Sequence, residues 1–285
     1  MFEGTGVALV TPFTTDNSID FQALGRIIDE VIGGGVNYLV ALGTTAETPT
    51  LSKAEKLEIL NFILDYNNNR VPVVVGIGDN NTQGLLDALD TYPMDRVDGI
   101  LSVVPYYNKP SQEGIYQHFK TLARATDKPI ILYNVPGRTV ANMLPQTVVR
   151  LATEFKNIVA IKEASGNMAQ CMELVANAPE GFSVLSGDDA LILPQAAIGM
   201  KGVISVAANC YAKEFCAMVQ AALNSDMATA RKLHYGLLHR IDLLFAEGNP
   251  TGVKYVLYSQ GLCQNVLRLP LVSASDGLAA AFQNG

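Results

Sequence analysis

The chain has 285 residues, a formal net charge of −7, and only 16% charged against 49% hydrophobic residues. This acidity excludes a nucleic-acid binder, whose polyanionic partner demands a basic footprint, but it permits a small anionic ligand in a locally positive pocket. No apolar run approaches the ~18 residues of a membrane span, and the first residues lack the basic-then-apolar layout of a secretory leader, so a cytoplasmic protein with ample material for a large core is expected.

Short β-branched runs recur along the chain, at residues 5–10, 38–42, 71–77, 99–104, 130–134, 158–162, 182–186 and 202–206. Stretches of helical periodicity separate them. Asp20 is placed to cap a helix carrying Leu24, Ile27, Ile28 and Val31, which Gly33-Gly34-Gly35 stops. Ser52 and Glu55 form a capping box ahead of Leu57, Leu60, Ile63 and Leu64. Ser111 opens a helix with Ile115, Phe119 and Leu122, and Pro145 suits the first turn of another with Val148, Leu151 and Phe155. Eight strands alternating with helices predict a parallel α/β domain, and at this length a (β/α)₈ TIM barrel, with a doubly wound open sheet as the alternative. Beyond residue 224 the strand signal ends, and 227–247, 251–260 and 275–282 read as helices, the first two separated by Gly248-Asn249-Pro250. The expected division is therefore a barrel over residues 1–224 and a small all-helical domain over 225–285.

Metal and disulfide chemistry find no pattern. Cys171, Cys210, Cys216 and Cys263 include no C-x-x-C pair and read as buried free thiols. His234 and His239 lie five apart, on different faces of a helix, and His118 sits in an amphipathic stretch. Gly76-Ile77-Gly78-Asp79-Asn80-Asn81 begins like a dinucleotide fingerprint but lacks its third glycine, so no nucleotide site is expected.

Lys162 carries more information. It ends the apolar run Ile158-Val159-Ala160-Ile161. An amine held dry at a strand end loses hydration, which favours its neutral, nucleophilic form and suits Schiff-base chemistry. Alone it better fits an ordinary strand-end lysine that snorkels to solvent. A barrel, however, builds its active site from the C-terminal strand ends. There the chain carries Gly43-Thr44-Thr45-Ala46-Glu47, Pro105-Tyr106-Tyr107-Asn108, Tyr133-Asn134-Val135-Pro136-Gly137-Arg138-Thr139, and Lys162-Glu163-Ala164-Ser165-Gly166. Small hydroxyl residues with free backbone N–H groups suit a carboxylate, although the same segment also reads as an ordinary turn. A phenol shuttles protons, and a guanidinium grips a carboxylate with two prongs. Convergence of all these at one mouth points to a Schiff-base enzyme.

With S-G-D-D at Ser186–Asp189 and G-V-I-S-V at Gly202–Val206, these motifs resemble the dihydrodipicolinate synthase family, within the pyruvate-dependent class I aldolases. The resemblance covers essentially the whole chain. It implies a lyase of diaminopimelate and lysine biosynthesis that condenses pyruvate with L-aspartate 4-semialdehyde, without metal or organic cofactor. Lys162 would form the imine, and Thr44 and Thr45 would receive the pyruvate carboxylate. Tyr133 and Thr44 would move protons, with Tyr107 completing the relay in a neighbouring subunit. Arg138 would hold the semialdehyde carboxylate, and Gly187 and Ile204 would line the pocket through their backbones. A homotetramer built from tight dimers is implied. The Arg-Thr ending favours this activity over sialic-acid or sugar-acid lyases, and a non-catalytic binding protein on the same barrel is the more distant alternative. Two departures from the family pattern stand out. Ala46 replaces a usual glycine, with strain expected if that position needs positive φ. Gly84 and Lys56 replace an acid and a histidine of lysine-inhibited members, which should disfavour an ammonium effector.

Overall fold

A computed structural model describes residues 2–284. Eight parallel strands, β1 (Gly4–Ala8), β2 (Tyr38–Ala41), β3 (Val73–Gly76), β4 (Gly99–Val103), β5 (Ile130–Asn134), β6 (Ile158–Glu163), β7 (Ser183–Ser186) and β8 (Gly202–Ser205), follow one another around a closed barrel. Closure is made by β8 against β1, with Gly4 opposite Gly202 and Ile204 opposite Gly6. The strands are buried on both faces, as all-parallel sheets must be when helices cover their outside.

Alternation along each strand decides which chemistry reaches the interior. In β5, Ile131 and Tyr133 point into the barrel, where they pack with Val40, Val74, Ala160 and Leu185. Ile130 and Leu132 point outward into the layer beneath the helices. The same period of two turns Ala160 inward and Ile161 outward on β6.

The barrel helices are α1 (Phe21–Gly33), α2 (Lys53–Asn67), α3 (Thr82–Thr91), α4 (Gln112–Ala125), α5 (Pro136–Thr139), α6 (Pro145–Glu154), α7 (Met168–Asn177), α8 (Ile192–Ala197) and α9 (Ala212–Leu223). Their starts follow the expected chemistry. Asp20 accepts from the Ala23 N–H, Ser52 and Glu55 bond reciprocally, Ser111 accepts from the Gly114 N–H, and Pro145 occupies the first helical position. α1 ends at Gly33, and Gly35 supplies the positive φ (95°) that turns the chain toward β2. Three further helices, α10 (Met227–Phe245), α11 (Thr251–Ser259) and α12 (Asp276–Asn284), follow the barrel. α10 packs on α9, and α11 and α12 pack on α10. Among the described residues, no helix is long and apolar enough to cross a membrane. The four thiols are buried and unpaired.

Candidate active site

A cavity of about 440 Å³ opens at the C-terminal ends of the strands, and Lys162 and Tyr133 form part of its lining. The two residues face each other directly in the β5–β6 register. Lys162 is only 6% exposed, so it does not leave the strand for solvent, and its Nζ lies 4.5 Å from the centre of the Tyr133 ring. Tyr133 is itself buried. An amine and a phenol are thus held side by side on a rigid sheet, which suits a step needing both a nucleophile and a proton carrier. A smaller cavity of about 280 Å³ lies near the opposite end of β1, lined by Gly4, Asn37 and Cys216, and contains none of the candidate groups.

Thr44 and Thr45 join the lining from a single 3₁₀ turn after β2. The Thr45 hydroxyl accepts from Asn249 Nδ2 at 3.0 Å, which ties the turn to the segment between α10 and α11. Ala46 carries no positive φ. The left-handed backbone falls on its neighbours Leu42 (φ 56°) and Glu47 (φ 54°), so a Cβ at position 46 is accommodated without that strain. Ala46 is buried, and its carbonyl accepts from the Thr11 hydroxyl at 2.8 Å. Glu47 anchors the other end of the turn. It is buried in an ion pair with Lys254 of α11, which is fully buried, and also accepts from the Arg268 N–H at 3.0 Å.

Arg138 reaches the cavity rim from α5, a single helical turn started by Pro136. It is exposed, and among the described residues its guanidinium has no ion-pair partner. Gly187 lines the floor beside Lys162. A Cβ there would come 2.5 Å from Ala164 Cβ and 3.0 Å from Lys162 Cε, so only glycine leaves room for the amine. Ile204 lies in the barrel interior rather than in the cavity wall, where Val206 of the same segment takes the place. Tyr107 stays out of its own chain's cavity. It projects from the loop after β4 with 86% of its surface exposed and φ of 72°.

Five left-handed non-glycine residues, Leu42, Glu47, Tyr107, Lys109 and Val140, lie in the loops after β2, β4 and β5. Such conformations cost about 1–3 kcal/mol each and gather where function fixes the backbone. Asp242 and Asn249 of the mouth carry no site signal in sequence pattern alone, whereas Asp188 belongs to the Ser186–Asp189 motif. Asp188 and Asp242 line the cavity from the end of β7 and from α10, and Asn249 from the break after α10. Burial, assisted by the Asp242 charge, raises the Asp188 carboxyl above the usual range. Asp189 is fully enclosed, accepts from the Val206 and Ala207 N–H groups at 3.0 and 2.8 Å, and is likewise raised by burial, while the Lys162 charge pulls it down. Among the described residues, no group of three or more His, Cys, Asp or Glu side chains is arranged to hold a metal ion.

A model of the dihydrodipicolinate synthetase family matches residues 1–284. The chain belongs to this family. It is 54% identical over 278 residues to the 4-hydroxy-tetrahydrodipicolinate synthase of Flavobacterium psychrophilum, covering 98% of this chain and 95% of the relative. The crystal structure of dihydrodipicolinate synthase from Aquifex aeolicus superposes with a TM-score of 0.96 at 41% identity, over 99% of this chain and 96% of that one. A chloride-inhibited dihydrodipicolinate synthase from Acinetobacter baumannii, solved in complex with pyruvate, gives a TM-score of 0.96 at 37% identity, over 100% of this chain and 97% of that one. Family membership therefore extends through the C-terminal helices as well as the barrel.

Proposed function

We propose that the chain catalyses the 4-hydroxy-tetrahydrodipicolinate synthase reaction, condensing pyruvate with L-aspartate 4-semialdehyde on the route to diaminopimelate and lysine. The observation that carries this reading is the buried Lys162–Tyr133 pair on one cavity wall with the unpaired Arg138 at its rim. Curated relatives of the same name at 54% and 50% identity support it.

Lys162 Nζ adds to the keto carbon of pyruvate, and loss of water leaves an iminium. The pyruvate carboxylate rests on Thr44 and Thr45, with Gly187 leaving the space the amine needs. The positive nitrogen acidifies the methyl carbon, whose proton is carried off by Tyr133 and Thr44 to leave an enamine. The enamine carbon then bonds to the aldehyde carbon of the semialdehyde, whose carboxylate is held by Arg138. The amine of that substrate attacks the imine carbon, closes the ring and frees Lys162. The lysine is the electron sink throughout, so the scheme uses no metal or organic cofactor.

Tyr107 belongs to this relay in a partner subunit, within a homotetramer of tight dimers. Its exposure and left-handed backbone, outside its own cavity, support that assignment. The barrel ends at residue 224 and the helical appendage begins at residue 225, and the working compartment is the cytoplasm, in keeping with four free thiols. A substrate comparison tests the reading. Product should form from pyruvate with aspartate semialdehyde and not with N-acetylmannosamine or glyceraldehyde; the reverse preference would make the chain a sugar-acid lyase.

A further inference from the structure

The residues that follow Tyr133 and Lys162 form a second register pair. Asn134 stands opposite Glu163 at the end of β5 and β6 and, by strand alternation, both point out of the barrel into the layer beneath the helices. Both are 0% exposed. Around them the layer holds Leu132, Ile161 and Cys171, with the buried Gln195 donating to the Cys171 sulfur at 3.6 Å. Among the described residues, no cation lies within 4.0 Å of the Glu163 carboxylate.

Amides surround it instead. Glu163 Oε2 accepts from Asn134 Nδ2 at 3.0 Å and from Gln170 Nε2 of α7 at 2.9 Å, and Oε1 accepts from the Ser165 N–H at 2.7 Å. Asn142 closes the ring. Its Oδ1 accepts from Asn134 Nδ2 at 2.8 Å and from Gln170 Nε2 at 3.1 Å, and its Nδ2 donates to Gln170 Oε1 at 2.9 Å. Asn134 Oδ1 accepts from the Met143 N–H at 2.9 Å. The excursion from residue 135 to 143, which carries Arg138, is therefore pinned at its base to the strand that carries Tyr133.

A buried carboxylate without a counter-cation is costly, and well-packed apolar residues of similar size would hold this layer together at least as well. What the cluster supplies is geometry. Its members attach one residue beyond Tyr133, one residue beyond Lys162, and at the closing end of the Arg138 segment. Both carboxylate oxygens of Glu163 face donors, which fixes the arrangement of the three strand and loop ends. We propose that Asn134, Asn142, Glu163 and Gln170 form a positioning device that sets Tyr133, Lys162 and Arg138 relative to one another. The proposal rests on the enzymatic reading given above and names no further group that touches substrate.

Glu163→Gln tests it, because the amide keeps the shape of the carboxylate but sets an NH₂ group against neighbouring donors. Sites are counted by borohydride trapping of pyruvate, and kcat is expressed per trappable Lys162. Misplacement of reacting groups should lower this kcat by at least about tenfold, with KM for pyruvate held within about threefold. The exchange Glu163→Gln with Gln170→Glu, which returns one carboxylate to the ring, should recover most of the loss. A Glu163→Gln enzyme with kcat per site within about twofold of the parent, or an exchange variant no better than Glu163→Gln alone, would overturn the proposal and leave the cluster a purely structural role. If Glu163→Gln does not fold, Asn142→Ala carries the same test with the same limits, since Asn142 is only half-buried. Failure of the parent enzyme to trap pyruvate would count against the enzymatic reading instead.

Discussion

Replacing Lys254 by methionine should destabilise the protein mainly by stranding the Glu47 carboxylate in the interior. Lys254 is 0% exposed, pairs with the buried Glu47, donates to the Val266 carbonyl at 2.9 Å and sits 4.1 Å from the centre of the Phe13 ring. Burial pushes its amine below the usual range, and the Glu47 carboxylate acts in the opposite direction. Methionine fills most of the volume but leaves Glu47 enclosed with the Arg268 N–H as its remaining donor. Removing one member of a buried pair costs about 3–5 kcal/mol. With an unfolding entropy of ~2.1 cal/mol/K per residue over 285 residues, that corresponds to a fall in Tm of about 5–8 °C. The turn that holds Thr44 and Thr45 ends at Glu47, so KM for pyruvate should rise by about tenfold. Scanning calorimetry at a fixed heating rate measures the first effect and initial-rate kinetics the second. Adding Glu47→Gln to Lys254→Met removes the stranded charge and should recover at least half of the lost Tm. A Lys254→Met shift below about 2 °C, or a double variant as unstable as the single one, would show that a stranded Glu47 charge is not what destabilises the protein.

Arg138→Ala should reduce turnover of aspartate semialdehyde by about two orders of magnitude while pyruvate still forms its adduct, because removal of the guanidinium acts on the second substrate alone; equal loss of both, read by kinetics beside adduct mass, would show the carboxylate role to be misassigned. Burial holds the His118 imidazole at about 4, with the Asp79 charge opposing the shift, so the folded chain carries this ring neutral while the unfolded chain binds a proton below about 6.5. Its contribution to stability is full above that value and is lost as pH falls from 6.5 toward 4, amounting to about 2 kcal/mol at pH 5. Denaturant titrations at pH 7 and pH 5 should show His118→Gln losing correspondingly less stability than the parent; parallel losses would contradict the assignment. Lysine should inhibit weakly or not at all, since Lys56 is a cation and Gly84 offers no side chain, even though a Cβ at Gly84 would meet Asp79 Oδ2 at 2.4 Å and a carboxylate therefore occupies that space. Inhibition at submillimolar lysine in a steady-state assay would show that Asp79 serves the effector after all.

The barrel was legible because each strand is short, β-branched and bounded by turn chemistry, and the helix starts are marked by local groups such as Asp20, Ser52 and Pro145. Lys162 and Tyr133 were legible for the same reason, since strand position fixes both their direction and the end of the barrel at which they stand. Ala46 shows the limit. Its neighbours take the left-handed backbone, and which residue of a turn does so depends on how Glu47 is anchored to Lys254, 207 positions away in sequence. Asn249 and Asp242 were invisible as site residues because the fold of α10 onto the barrel, not any local pattern, brings them to the cavity. Glu163 carries no local mark of burial, since an acid at a strand end ordinarily faces water. Only the register of β5 and β6 reveals that it is enclosed among amides.

The most direct measurement is reduction by borohydride in the presence of pyruvate, followed by peptide mass spectrometry. One reduced pyruvyl adduct per subunit is expected, on Lys162, lost entirely in Lys162→Ala while the far-ultraviolet circular dichroism is unchanged. No adduct, or an adduct on another lysine such as Lys254, would show that Lys162 is not the nucleophile.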